Sequence, residues 1–99
     1  ETELGDFEGC NVENASYGLT ICAERVALFH AVAHGAKQFR RLAVSCRSAK
    51  ENDPPASKMP CGACRQVITE LMPAEAVIEI DGVGVWQVGE LLPLAFRLP

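Results

Sequence analysis

Twice in this chain apolar residues return at intervals of three and four, and the runs between those two stretches are too short or too polar to be long helices. From Ile21 to about His34, Val26, Phe29 and Ala33 interleave with Leu28 and Val32, and Gly35 follows as a stop. From Cys61, Val67, Ile68, Leu71 and Met72 form a second stripe, with Pro60 at its start and Pro73 at its end. The run RLAVSC at 41–46 reads as a largely buried strand, and the polar RSAKENDPPASK after it as a loop. AVIEID at 76–81 predicts a further strand, Asp81-Gly82 a turn, and VGVWQV its continuation. FEGCNVE at 7–13 predicts a first strand, with Phe7 and Val12 as β-formers and turn chemistry from Asn11 to Asn14, Ser16 and Gly18. GELLPLAF reads as a short helix cut by Pro93. This order predicts an α/β fold, a three-layer α-β-α sandwich in which helices cover a mixed sheet.

At 99 residues the chain makes one domain, able to bury roughly 60–70% of its unfolded surface. Its net charge is −4 and its nine basic residues are scattered apart from Arg40-Arg41, so the field needed to hold a phosphate backbone is lacking and nucleic acid is not the expected partner. No apolar run approaches the roughly 20 residues of a membrane span, and ETELGDFEG has no signal-peptide pattern. A cytoplasmic protein without membrane partners is expected. In a reducing compartment, five cysteines, two of them spaced C-x-x-C, point to metal or redox work rather than to bridges.

Both long helices open on cysteine. Cys61 and Cys64 share one turn at the second entrance, and Cys22 holds the matching place at the first. Unpaired N–H groups and the positive end of the helix dipole favour thiolates there, and thiolates bind Zn²⁺. Three thiolates leave about one negative charge in excess, which Arg25, three residues past Cys22, is placed to offset. Three protein ligands also leave tetrahedral zinc a position open for water, the arrangement of a catalytic site, with Glu24 as the acid near enough to move its proton. Positions 22 and 24 point roughly 200° apart on a regular helix, so they share a pocket only if Cys22 precedes the regular geometry.

The sequence CAE followed by PCGAC resembles the zinc signature of nucleoside and base deaminases. The fuller strings GCNVENASYGLTICAERVA and PCGACRQV, with ELLPLAF, are similar to the small cytidine deaminases that use three cysteines, and the likeness runs over 9–96. The resemblance implies one zinc per chain on Cys22, Cys61 and Cys64, with Glu24 shuttling protons to N3 and the departing amine as cytidine becomes uridine and ammonia. It implies that Asn11 and Glu13 bind the ribose hydroxyls, and that the regions around Tyr17 and Phe96 help form a site shared between subunits of a homotetramer. A free nucleoside is the expected substrate.

Relatives of this type begin with a helix and an apolar strand that have no counterpart in ETELGDFEG. Four strands are therefore expected in place of five, a mixed sheet of the cytidine deaminase type short of one inner strand. The gap would be closed by the remaining strands or covered by another chain, leaving a tetramer or a dimer. Two other functions remain open: deamination of another small aminated heterocycle, and a catalytically silent zinc-stabilised module.

Other readings of the same residues are plainer. The three cysteines could be buried small hydrophobes, or Cys61 and Cys64 a redox pair, though the latter leaves Cys22 and Glu24 unexplained. Cys10 and Cys46 are expected in the core, His30 and His34 at the surface or in packing, and Trp86 in the core or an interface. Arg65 is either a solvated charge or a cation beside the metal ligands.

Overall fold

The computed structural model describes residues 1–99. Six elements follow one another: α1 (Ala23–Ala33), β1 (Arg41–Val44), α2 (Gly62–Leu71), β2 (Val77–Ile80), β3 (Gly84–Gln87) and α3 (Val88–Leu91). Short 3-10 turns lie at Tyr17–Leu19 and Pro55–Lys58. The sheet runs β1-β2-β3, with β1 parallel to β2 and β3 antiparallel to it. A parallel pair needs a long crossover, here the segment containing α2, whereas β2 and β3 need only a tight turn with Gly82 at φ +75°. The mixed α/β sheet with its helices is thus as expected.

Helix ends follow local chemistry. Gly35, at φ +88°, lets Ala36 N–H reach Ala31 O and Gly35 N–H reach Val32 O, which satisfies the last carbonyls of α1. At α3, Gln87 and Glu90 cap each other's backbone groups, so the helix starts earlier than GELLPLAF suggested.

Strand register decides which side chains are inside. Leu42, Ile78 and Trp86 lie abreast, as do Val44, Ile80 and Gly84, and this face meets the core. The opposite face carries Arg41, Ala43, Glu79, Val85 and Gln87, all exposed except the half-buried Glu79, and there Arg41 pairs with Glu79. Leu28 and Ala31 of α1, Cys64 and Ile68 of α2, and Val88 and Leu91 of α3 complete one apolar cluster. Ile68, Ile78 and Val88 are essentially inaccessible, and burying each contributes about 1.5–3 kcal/mol. Trp86 packs half-buried against this cluster.

The strand expected at 7–13 does not form. Only Val12 bridges, to Ile21, while Phe7 to Asn11 run without a ladder partner. A strand is defined by a neighbour that takes its N–H and C=O groups, and β-forming residues cannot supply one. The sheet has three strands rather than four, and the remaining segments do not close the gap: β1 is an edge, and a cleft of about 490 Å³ is lined jointly by 6–9 and 41–45. The first residues reach the start of β1, where Arg40 N–H donates to Glu1 O at 2.9 Å, the Glu1 amine donates to Arg41 O at 2.8 Å and Thr2 bridges Phe39.

Cys10 and Cys46 are exposed rather than in the core, because one lies in the unpaired segment and the other beyond the end of β1. His30 and His34 are exposed and pack against Phe7, the first edge-on and the second tilted, with ring centroids 5.1 and 5.3 Å away. No helix is long and apolar enough to cross a membrane.

Candidate active site

Cys22 is the N-cap of α1, in extended backbone at φ −70°, ψ 152°, and Glu24 stands in the first turn after it. The geometric condition for the two to share a pocket is therefore met. Asn11 supplies the helix start: its Oδ1 accepts from Ala23 N–H at 2.8 Å, and the Val12–Ile21 bridge holds the NVEN segment alongside. Cys61 is likewise the N-cap of α2, where its sulfur accepts from Cys64 N–H at 3.5 Å.

The two helix entrances bring three sulfurs together. Sγ of Cys22, Cys61 and Cys64 lie within 4.8 Å of one another, and Cys22 and Cys61 are 3.7 Å apart. A tetrahedral zinc with Zn–S near 2.3 Å spaces its sulfurs by about 3.8 Å, whereas a disulfide needs about 2 Å. All five cysteines are free thiols. The donor set therefore fits a metal ion and does not fit a bridge.

Charges around the sulfurs are organised for the same purpose. The backbone hydrogen bond from Cys64 N–H holds the Cys61 thiol below its usual pKa. Burial, with the hydrogen bond to Glu24, pushes Cys64 well above its own. Cys64 is fully inaccessible, so a bare charge there is costly until a cation neutralises it. Arg25 Nη2 donates to Cys22 Sγ at 3.6 Å; this contact, followed by that to Cys64, raises the guanidinium above its ordinary value. Arg25 Nε is buried without a partner, a donor left unspent beside the sulfurs. Glu24, in the first turn after Cys22, raises the proton affinity of the Cys64 thiol and also lines the cleft along β1, a space open to a small molecule.

The other expected contacts are dispersed over the surface. Glu13 is exposed without a hydrogen-bond partner, Tyr17 is 89% exposed on its 3-10 turn, and Phe96 is 66% exposed with its carbonyl accepting from Gln66 Nε2 at 3.2 Å. Asn11 is exposed and its Oδ1 is committed to the helix cap, which leaves its amide N–H groups for a ligand. Arg65 contacts main-chain carbonyls, Pro60 O and Leu91 O, and is neither a solvated charge nor a partner of a sulfur. Sequence reasoning missed the cap formed by Asn11, because a residue 12 positions before the N–H it accepts from gives no local capping signal. It also missed the Gln66 link, for which no local signal exists.

The family model of the cytidine and deoxycytidylate deaminase zinc-binding region matches residues 5–80. The cytidine deaminase of Halalkalibacterium halodurans is 47% identical over 94 residues, covering 91% of this chain and 67% of that protein. That of Mycobacterium tuberculosis is 44% identical over 92 residues, covering 91% of this chain and 62% of that protein. This chain thus spans about two thirds of the length of the curated relatives. The crystal structure of cytidine deaminase from Burkholderia pseudomallei superposes with a TM-score of 0.75 at 44% identity, over 96% of this chain and 76% of that one. A cysteine triad at two helix entrances, a sheet matching solved relatives and a family match over most of the length agree: the chain belongs to the family of the cytidine and deoxycytidylate deaminase zinc-binding region.

Proposed function

We propose that this protein is a zinc-dependent hydrolase that converts cytidine or deoxycytidine to the uridine product plus ammonia. The carrying observation is the convergence of Cys22, Cys61 and Cys64, with Glu24 in the first turn of the helix that Cys22 caps. Zinc, when bound, supplies the Lewis acidity that lets water give up a proton near neutral pH. Cys22, Cys61 and Cys64 hold it, and Arg25 offsets the excess charge of three thiolates. Glu24 takes the proton that water loses, delivers it to ring N3, and carries a second to the exocyclic nitrogen, which leaves as ammonia. One water is consumed, and the C4–N bond is exchanged for a C4 carbonyl.

The amide of Asn11 and the carboxylate of Glu13 are the proposed ribose contacts. Tyr17 and Phe96 are proposed to complete a site in a homo-oligomer, a tetramer or a dimer. Support comes from the apolar surface that one copy leaves open, with Tyr17 89%, Leu94 103%, Phe96 66% and Leu98 82% exposed. A cytoplasmic setting fits thiols that must stay reduced. The cleft of about 490 Å³ reaching Glu24 also favours a second reading, deamination of another small aminated heterocycle, which a substrate panel separates from the first.

Glu24→Gln tests the assignment. Zinc content should stay near one per chain while cytidine turnover falls by about 10²–10⁴-fold; turnover close to wild type would remove Glu24 from the reaction.

A further inference from the structure

Cys61 is exposed, so packing does not fix where its sulfur points, and the backbone's direct hold on it is the long hydrogen bond from Cys64 N–H at 3.5 Å. The backbone that presents the sulfur is held as well, and Arg65 grips it on both sides. Arg65 N–H donates to Cys61 O at 3.0 Å, and its side-chain Nε donates to the carbonyl of the preceding residue, Pro60, at 2.9 Å. The same guanidinium reaches Leu91 O, at the end of α3, through Nη1 at 3.0 Å. Pro60 and Leu91 are both buried, and a carbonyl ending a helix has no partner within it.

We propose that Arg65 is a positioning residue for the metal centre: by tying the Pro60 carbonyl to the end of α3, it sets the peptide plane from which Cys61 presents its sulfur to the other two. The proposal rests on the metal reading above. Proline already fixes its own φ, so the orientation of the Pro60–Cys61 peptide is the main freedom left at this approach to α2. Holding Pro60 O removes that freedom and keeps Cys61 in the N-cap geometry that brings its sulfur 3.7 Å from Cys22. The task requires arginine. Two donors at fixed angles serve two carbonyls at once, whereas a lysine ammonium is a point charge on a flexible stem. Gln66, the next residue, holds Phe96 O, so one turn of α2 links the metal loop to two points of the C-terminal segment.

Chelator competition for zinc, together with the visible spectrum of the cobalt-loaded protein, tests this in wild type, Arg65→Ala, Arg65→Lys and the distant charge control Arg40→Ala. Zinc affinity should fall about 10–100-fold in both Arg65 variants with an altered sulfur-to-cobalt band, and stay at the wild-type value in Arg40→Ala. A loss confined to melting temperature, with zinc affinity and cobalt spectrum unchanged, overturns the proposal. If Arg65→Ala does not fold, Arg65→Lys decides by the same readout. Wild type that takes up no zinc overturns the metal reading and this proposal together. Wild type that binds zinc but releases no ammonia from cytidine contradicts the deaminase reading alone, and the affinities still judge Arg65.

Discussion

Gly9 lies directly on the backbone of α1: a β-carbon there would stand 2.4 Å from Ala27 N and 2.7 Å from Ala23 O. Nothing in those atoms can swing aside, since both belong to a hydrogen-bonded helix. The close approach brings the chain to Asn11, whose side chain caps the same helix two residues later. Gly9→Ala should therefore destabilise the fold by about 1–3 kcal/mol, read as a lower melting temperature. Gly18→Ala, where a β-carbon meets nothing within 4 Å, should shift it far less.

Arg25 Nη2 stands 3.6 Å from Cys22 Sγ, and thiolates must form before metal binds. Arg25→Ala removes the donor to Cys22 Sγ and leaves the negative charge of the sulfurs uncompensated. Zinc uptake releases protons from thiols, so its pH midpoint should move upward in this variant. A midpoint unchanged from wild type would show that the guanidinium has no influence on the sulfurs.

In the metal-free protein the two cysteines of α2 act in opposite directions on stability. Cys64, raised by burial, contributes stability that is fully present below the unfolded thiol value of about 8.5 and is lost as pH rises through its higher folded value. Cys61, lowered by the Cys64 N–H, contributes stability present above the unfolded value and lost as pH falls through its folded value. Thermal melts of the apo form should therefore drop in alkaline solution. Cys64→Ser should flatten that drop, and Cys61→Ser should leave it in place.

The two faces of the sheet differ in what they tolerate. Ile78 is inaccessible at the centre of β2, and Ile78→Ala should cost about 2–5 kcal/mol. Val85, 62% exposed on the opposite face of β3, should accept alanine within about 0.5 kcal/mol. Denaturant unfolding of the pair measures both.

The elements legible in the sequence were those whose signals are local. The 3.6-residue stripes of α1 and α2, the glycine after His34 and the prolines around α2 placed both long helices to within two residues. Short apolar runs placed β1 and β2, and Asp81-Gly82 placed the turn into β3. The segment 7–13 misled because its composition suits a strand while its partner is a tertiary matter, and Cys10 lost its expected burial for the same reason. In the candidate site, the cysteine spacing was readable because it marks the two helix entrances. The Arg65 bridge to Leu91 was not, since it joins residues 26 apart.

The central claim is that three cysteine sulfurs hold one zinc ion that makes Glu24 productive on cytidine. Ammonia release from cytidine, followed as zinc is added stepwise to the metal-free protein, tests it most directly. The account predicts that turnover rises in proportion to zinc and levels off at one ion per chain. Turnover at full strength without metal, or none at one zinc per chain, would contradict it.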